Sequence, residues 1–250
     1  MFVAASTECF GNLPLQEAIE KLGDLQYANV EVAICEDLDL QLKPSEVAEN
    51  VEKAAALCCD THRLNVVAYD LRIAATGDEF LRQFTACCEL AKATKVYCLT
   101  VPSSEFGTPF NEEVERLREL VGIATREGVL VAMKTESGRL SQDLGTIEVL
   151  CDNVKGLGIT LDPSHFIYGQ DSPVEVESVL KYVYNVNLRD TTKDALQVRV
   201  GQGEVDYGRL IMQLQKLKYG RALSVHVTED PDIDHDVEMR KIRMLLDSHL

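Results

Sequence analysis

The chain of 250 residues is short of positive charge, with 25 Lys and Arg against 41 Asp and Glu and a formal net charge of -16. A field of that sign repels phosphate backbones and anionic lipid headgroups, so the sequence predicts binding neither to nucleic acid nor to membranes. The chain also lacks an apolar run of the roughly 20 residues that cross a bilayer. Its first residues lack the basic start and long apolar stretch of a signal peptide. We therefore expect a cytoplasmic protein.

The chain has 8 cysteines but no Cys-x-x-Cys pair. Four of them form two adjacent pairs, Cys58-Cys59 and Cys87-Cys88, within stretches that have a helical pattern. Neighbouring side chains on a helix point about 100° apart, so each pair is expected to place one sulfur inward and one outward. This spacing excludes a zinc ribbon or a redox pair. We expect reduced and mostly buried thiols.

Short apolar runs alternate with longer amphipathic stretches along the whole chain, without a Gly/Ser-rich linker. Apolar runs without alternation are typical of strands that are buried on both faces of a parallel sheet. The predicted strands are 2–5, 29–34, 64–68, 95–99, 129–133, 157–161, 183–188 and 222–227. Amphipathic stretches between them predict helices, including one that starts at Pro44 and keeps its apolar stripe through Cys58. The pattern predicts one domain over residues 1–250, a (β/α)8 barrel, with an open doubly wound sheet as the alternative.

Functional groups of such a barrel lie at the carboxyl ends of the strands. Several strands contain or precede a polar residue at that position, and these candidates are Glu31, Lys134, Glu136, Asp162, His165, Asn187, Arg189, Asp190 and His226. Structural explanations stay open for individual members: Asp162 and His165 could form a capping turn, and Glu31 could be a buried carboxylate paired with Lys or Arg. The Gly201-Gln202-Gly203 segment fits a tight turn better than a phosphate loop. The convergence of the candidates on one mouth predicts a functional site.

Three segments carry a resemblance to a known family. Leu161-Asp162-Pro163-Ser164-His165, Val186-Asn187-Leu188-Arg189-Asp190 and Val200-Gly201-Gln202-Gly203-Glu204-Val205-Asp206-Tyr207 follow one another in the expected order and spacing. They resemble the signatures of the xylose isomerase-like TIM-barrel superfamily, which includes sugar-phosphate isomerases and epimerases and the AP endonuclease 2-type family. The resemblance covers nearly the whole chain.

The resemblance implies a divalent ion (Mn, Mg, Co or Zn) that is held by a Glu, an Asp, a His and a second Glu from strands five to eight. Such an ion polarises a carbonyl while the glutamates move a proton. Asp162 matches the family Asp, and His165 matches a nearby histidine. Lys134 stands in the place of the first Glu, Asn187 in the place of the His, and His226 in the place of the second Glu.

These replacements reverse the charge of the site, because an ammonium close to a dication is repelled. We expect Lys134 to replace the ion, to pair with Asp162 and to present a positive charge to a substrate oxygen. His165 and His226 would then carry protons. An alternative metal set consists of Asp162, His165, His226 and Glu136.

Two classes of function follow from the resemblance and its departures. The first is an isomerase or epimerase, or a dehydratase, that acts on a sugar, sugar phosphate or keto acid by proton transfer next to a carbonyl. Lys134 would be its electrophile and His226 or Glu136 its base, and a Schiff base at Lys134 is a variant of this hypothesis. The residues expected to bind substrate are Glu31, His165, Asn187, Arg189 and Asp190.

The second class is a catalytically inert barrel that binds a small polar, carbohydrate-like ligand or a partner subunit. Homo-oligomerisation is compatible with both classes. AP endonuclease activity is disfavoured, because three zinc ions need many ligands and the chain has 5 histidines in all. The negative net charge also opposes DNA.

Overall fold

The computed structural model describes residues 1–172 and 174–250, in which eight parallel strands close into a barrel in chain order. The strands are β1 (Phe2–Ser6), β2 (Asn29–Cys35), β3 (Asn65–Arg72), β4 (Cys98–Pro102), β5 (Leu130–Lys134), β6 (Leu157–Leu161), β7 (Val183–Leu188) and β8 (Ala222–Val225). Parallel pairing of β1 with both β2 and β8 closes the sheet. The predicted (β/α)8 barrel is therefore confirmed, and the open sheet is excluded.

Helices surround the barrel, although not one for each connection. They are α1 (Leu15–Asp24), α2 (Pro44–Glu49), α3 (Val51–Cys59), α4 (Gly77–Thr94), α5 (Phe110–Arg126), α6 (Leu144–Asn153), α7 (Tyr207–Lys216) and α8 (His235–Asp247). Between β6 and β7 the described residues form two 3-10 segments, Pro163–Phe166 and Val176–Tyr182, and no α-helix. Among the residues that the structure describes, no helix is long and apolar enough to cross a membrane.

The helix predicted from Pro44 to Cys58 is divided in two. Asn50 is extended, with a φ of -157°, and its side chain accepts a hydrogen bond from the backbone N–H of Lys53. The side chain of Asn50 therefore caps a new helix, as Asn often does. The apolar stripe continues across the break, which is why the sequence pattern did not reveal it.

Six of the predicted strands have different bounds in the structure, and β3 and β4 differ most. β4 begins at Cys98, because Lys95 adopts the left-handed conformation (φ 61°) that ends α4. β3 continues to Arg72, because it pairs with β2 along its length as far as the register pair Cys35 and Arg72. The longer β3 brings Asp70 and Arg72 to the mouth of the barrel within a regular strand.

The cysteines are free thiols, as expected, and all except Cys59 are buried. The pair Cys58-Cys59 has the predicted arrangement of one inward and one outward side chain. Both Cys87 and Cys88 are buried, contrary to that expectation. The reason is that α4 packs against α2, α3 and α5 as well as against β4, so more than one face of this helix is covered.

The interior of the barrel changes from apolar to polar along the strands. Three small side chains pack together near the amino-terminal end: Ala68, Cys98 and Ala132. Two residues after Cys98 on β4, the hydroxyl of Thr100 forms a hydrogen bond of 2.6 Å with the hydroxyl of Thr160 on β6. Alternate residues of a barrel strand face inward, so the next inward positions hold the polar groups of the mouth.

The loop after β7 is built around the carboxylate of Asp190. Its Oδ2 accepts hydrogen bonds from the backbone N–H groups of Gly201 at 2.7 Å and Gly203 at 3.0 Å. The N–H of Thr191 donates to Oδ1 at 3.2 Å. The Gly201-Gln202-Gly203 segment is thus a tight turn that surrounds a carboxylate of the protein itself.

This turn requires glycine at position 203. A Cβ there would overlap the carboxylate of Asp190 and the carbonyl oxygen of Thr191. We expect Gly203→Ala to lower the free energy of unfolding by about 2 kcal/mol or more. The control is Gly122→Ala within α5, where an added Cβ meets no described atom within 4 Å and alanine favours the helix by about 1 kcal/mol. Chemical denaturation measures both, and equal effects of the two variants would contradict the prediction.

Candidate functional site

Charged side chains from several strands meet at the carboxyl-terminal mouth of the barrel and form three ion pairs. The pairs are Lys134 with Asp70, Arg189 with Asp162, and Arg72 with Glu8. The first two pairs are buried, and the third is partly exposed. Burial of an unpaired charge is costly, so the positions of these side chains depend on one another.

The expected pairing of Lys134 with Asp162 is wrong. Lys134 Nζ lies 2.7 Å from Asp70 Oδ2, and Asp162 Oδ2 instead accepts from Arg189 Nε at 3.2 Å and Nη2 at 2.8 Å. The other oxygen of Asp162 accepts from the backbone N–H and the hydroxyl of Ser164. Because donors occupy both oxygens of Asp162, the ammonium of Lys134 pairs across the barrel with β3.

Lys134 and Asp162 are charged at neutral pH. Burial alone would lower the pKa of Lys134, but Asp70 and Glu8 outweigh it and raise this pKa above its ordinary value. Burial would raise the pKa of Asp162, but Arg189 and His165 lower it to about 2. A Schiff base needs a neutral amine as nucleophile, so this geometry argues against a Schiff base at Lys134.

His226 lies between a donor and an acceptor, which fixes its tautomer. Its Nδ1 is 2.9 Å from Arg189 Nη2, and its Nε2 is 2.9 Å from Glu8 Oε2. Arginine can only donate, so Nδ1 accepts and the proton of the ring lies on Nε2, which donates to Glu8. Burial, together with Lys134, lowers the pKa of His226 and keeps it neutral. The ring therefore has no free lone pair.

His165 has the same tautomer for a different reason. The backbone N–H of Ser137 donates to its Nδ1 at 3.2 Å, so the ring proton lies on Nε2. Burial lowers the pKa of His165 and keeps it neutral. Its nearest carboxylate oxygen, Asp162 Oδ2, is 3.7 Å from Nε2, which is too far for a hydrogen bond. His165 thus has an N–H group that is available to a ligand.

Glu31 is fully buried, and two amides hold it. Asn185 Nδ2 donates to one carboxylate oxygen, and Asn187 Nδ2 donates to the other at 3.0 Å. The structure thus replaces the expected Lys or Arg partner of Glu31 with asparagines. Burial and the neighbouring Asp70 raise the pKa of Glu31 to about 7, against the opposing effect of Lys134 and the amides. The Oδ1 atoms of Asn185 and Asn187 are without a partner among the described residues.

Two of the sequence-predicted candidates lie away from this cluster. Glu136 is at the rim, where it pairs with Arg139 at 2.8 Å and its side chain is 36% exposed. Asp190 holds the turn described above. The alternative metal set of Asp162, His165, His226 and Glu136 is therefore not brought together.

Sequence reasoning missed Glu8, Asp70 and Arg72 as members of the site. The available signal was their position, because Glu8 follows β1 and the other two end β3. They lie outside the segments that carry the family signatures.

The residues at the mouth do not fit a divalent ion. In the described part of the chain, Glu8, Asp70 and His226 are the one group that places three candidate ligand atoms within 4.8 Å of one another. His226 Nε2 carries a proton, and with Arg189 donating to Nδ1 a metal on Nε2 would require an imidazolate. The ammonium of Lys134 is 2.7 Å from the Asp70 oxygen that would face the ion. The ligand positions that the resemblance implies do not fit an ion either, because the ammonium of Lys134 offers no lone pair.

The chain belongs to the xylose isomerase-like TIM-barrel family, whose model matches residues 16–244. A search of curated protein sequences finds no match to this chain. The fold and the family thus define the class of protein, a xylose isomerase-like TIM barrel.

Several solved structures have a similar fold. A xylose isomerase domain protein from Alicyclobacillus acidocaldarius subsp. acidocaldarius has a TM-score of 0.77 and 15% identity, and the match covers 100% of this chain and 98% of the other. The 3-keto-D-glucoside 4-epimerase from E. coli has a TM-score of 0.73 and 16% identity over 98% and 99% of the two chains. A probable 3-DHS dehydratase from Bacillus anthracis has a TM-score of 0.74 and 14% identity over 97% and 98%. At these identities the likeness establishes the fold.

The charge arrangement predicts weak metal binding. After removal of adventitious ions, we expect the protein to bind neither Mn²⁺ nor Zn²⁺ stoichiometrically at neutral pH, because Lys134 and Arg189 occupy the carboxylates that would be ligands. Elemental analysis and calorimetric titration measure this. One tightly bound equivalent in the native protein that is lost in Asp162→Asn would contradict the prediction.

Glu31 makes the stability of the protein dependent on pH. Its pKa in the folded protein is about 7, against an ordinary value of 4.5. Its contribution to stability is therefore fully present below about pH 4.5 and is lost as the pH rises through about 7. Glu31→Gln removes this titration, and the amides of Asn185 and Asn187 can turn to present their unpartnered oxygens to the new NH₂ group.

The quantity to compare is the melting temperature of Glu31→Gln minus that of the native protein. We expect this difference to be several degrees larger at pH 8 than at pH 5. Thermal unfolding at the two pH values measures this difference. The control is Glu119→Gln at an exposed position of α5, which should change stability equally at both. A pH-independent effect of Glu31→Gln would show that the prediction is wrong.

Proposed function

We propose that this chain binds a small polar, carbohydrate-like molecule at the mouth of the barrel and moves a proton next to its carbonyl group, without a divalent ion. The observation that carries the proposal is the pair of buried cations, Lys134 and Arg189, at the carboxyl ends of β5 and β7. Family membership supports the reaction class, and solved structures of similar fold include a 3-keto-D-glucoside 4-epimerase and a probable 3-DHS dehydratase.

The cations supply what removal of a proton next to a carbonyl requires. Negative charge develops on the carbonyl oxygen, and fixed positive charge in a site shielded from water stabilises it. Lys134 donates one of its three N–H bonds to Asp70. Arg189 uses Nε and Nη2 for Asp162 and His226, which leaves Nη1 for a substrate oxygen.

A carboxylate fits the role of proton acceptor better than either histidine does. His165 and His226 both have an occupied Nδ1 and a protonated Nε2. Asp70 Oδ1 is buried and has no hydrogen-bond partner in the part of the chain that the structure describes. Since Lys134 fixes the other oxygen of Asp70, we assign the proton transfer to Asp70 Oδ1 in place of His226 or Glu136.

One observation favours the second candidate function, a barrel that binds a ligand without transforming it. In each of the three ion pairs the two charges cancel, and the two deepest pairs are almost wholly buried. A network of that kind also suits a purely structural role. Binding of a sugar without exchange of its carbon-bound protons would favour this function.

The test is exchange of carbon-bound hydrogen with solvent. The protein is incubated in D₂O with a set of ketoses, aldoses and keto acids, with and without a chelator, and ¹H NMR follows deuterium entry next to the carbonyl. We expect exchange that the chelator leaves unchanged.

Substitution of the proposed base should abolish this exchange. We expect Asp70→Asn to slow it by about 10²-fold or more, which is the usual contribution of a general base. Glu136→Gln at the rim serves as the control and should alter the rate less than about twofold. Exchange that requires added metal, or that survives in Asp70→Asn, would contradict the proposed mechanism.

A further inference from the structure

We infer that the ligand of this mouth carries an oxyanion, a carboxylate or phosphate, beside its hydroxyl groups, and is thus a sugar acid, keto acid or sugar phosphate rather than a neutral sugar. The inference rests on the proposed function of the same site. The balance of filled and unfilled hydrogen-bonding groups among its side chains carries it.

The carboxylate oxygens of Glu8, Asp70 and Asp162 are almost all filled. Asp162 Oδ2 accepts from Arg189, and its Oδ1 accepts from Ser164. Both oxygens of Glu8 accept from the guanidinium of Arg72, at 3.0 and 2.8 Å. Asp70 Oδ2 accepts from Lys134, so that Asp70 Oδ1 is the single carboxylate oxygen of these three residues without a donor.

The donors of the mouth are only partly filled. Two N–H bonds of Lys134, the Nη1 of Arg189 and the Nε2–H of His165 have no acceptor within hydrogen-bond distance among the described residues. These three residues are each 7% exposed, whereas Asp70 is 1% exposed and Asp162 is fully buried. The side chain of Glu8 is more exposed, at 15%, but Arg72 already donates to both of its oxygens. A molecule that enters the mouth therefore meets unfilled donors, and two of the three side chains that carry them are cations.

A neutral sugar does not match this surface. Each of its hydroxyls donates as well as accepts, so it is best held by a mixture of donors and acceptors. A carboxylate or phosphate only accepts, and its hydrogen bonds to charged donors are about twice as strong as those between neutral groups. The Nη1 of Arg189, which is free of partners among the described residues, can donate to such an oxyanion. Among the carboxylate oxygens of Glu8, Asp70 and Asp162, the open one is Asp70 Oδ1, which then suits a hydroxyl or a C–H bond beside the oxyanion. The unpartnered Oδ1 atoms of Asn185 and Asn187 are further open acceptors.

The test compares matched pairs of charged and neutral probes by calorimetry. D-gluconate is compared with D-sorbitol, and D-glucose 6-phosphate with D-glucose, at neutral pH and low salt. We expect one anion of these pairs to bind at least about tenfold more tightly than its neutral counterpart, with an affinity that falls as salt rises. Which pair shows the difference distinguishes a carboxylate from a phosphate.

Variants connect this preference to the named donors. Arg189→Lys keeps a positive charge beside Asp162 but removes the Nη1 group that is left for a ligand, and His165→Asn removes the Nε2–H. Each substitution should weaken binding of the anion about tenfold and leave binding of the neutral probe unchanged. The matched control is Arg209→Lys in α7, an exposed arginine whose ion pair with Glu175 measures 2.6 Å. Unfolding curves for each variant establish that the fold is retained.

The inference is overturned if neutral probes bind as tightly as their anions, or if none of the four probes binds at millimolar concentration. It is also overturned if Arg189→Lys and His165→Asn leave the affinity for the anion intact. Its failure is distinguishable from failure of the proposed function. Anion binding without hydrogen exchange would overturn only the proton transfer. Exchange on neutral sugars, with no preference for anions, would overturn only the inference about the ligand.

Discussion

The arrangement of the mouth depends on the buried ion pair between Lys134 and Asp70. An ammonium inside a barrel must have a counter-charge, since burial of a lone charge costs several kcal/mol, and Asp70 provides it at 2.7 Å. With Lys134 committed to β3, Asp162 is left for Arg189. Arg189 in turn occupies Nδ1 of His226 and thereby places the ring proton on Nε2. Each side chain thus sets the hydrogen-bonding state of the next.

A fixed cation and a bound dication stabilise an oxyanion in different ways. A metal ion also organises the site, because it gathers carboxylates and neutral imidazoles that would otherwise repel one another or bind water. Lysine and arginine provide charge and donors but no coordination sites, so the protein itself must hold them in place. The three carboxylates at this mouth do so. They are the acceptors that orient these cations.

The sequence was sufficient for the barrel and for the convergence of Lys134, Asp162, Arg189 and His226, because apolar runs mark strands and a barrel brings strand ends together. It could not supply the partners of these residues. Which carboxylate Lys134 reaches depends on the barrel's cross-section, and the length of β3 depends on its register with β2. The break at Asn50 and the 3-10 connection before β7 were not predicted for a related reason. Local caps and turns leave the apolar pattern of the sequence unchanged.

The net charge of -16 does not conflict with a mouth that favours anions. At physiological ionic strength, exposed charges more than about 8 Å apart are largely screened from one another. Buried donors at the strand ends act at contact distance, and little water lies between them and a ligand. We expect the acidic surface to weaken the approach of anions, most of all of large polyanions such as nucleic acids. The proposed recognition of a small anion depends instead on the mouth, where three cations face three carboxylates and hydrogen-bond donors outnumber the acceptors left open.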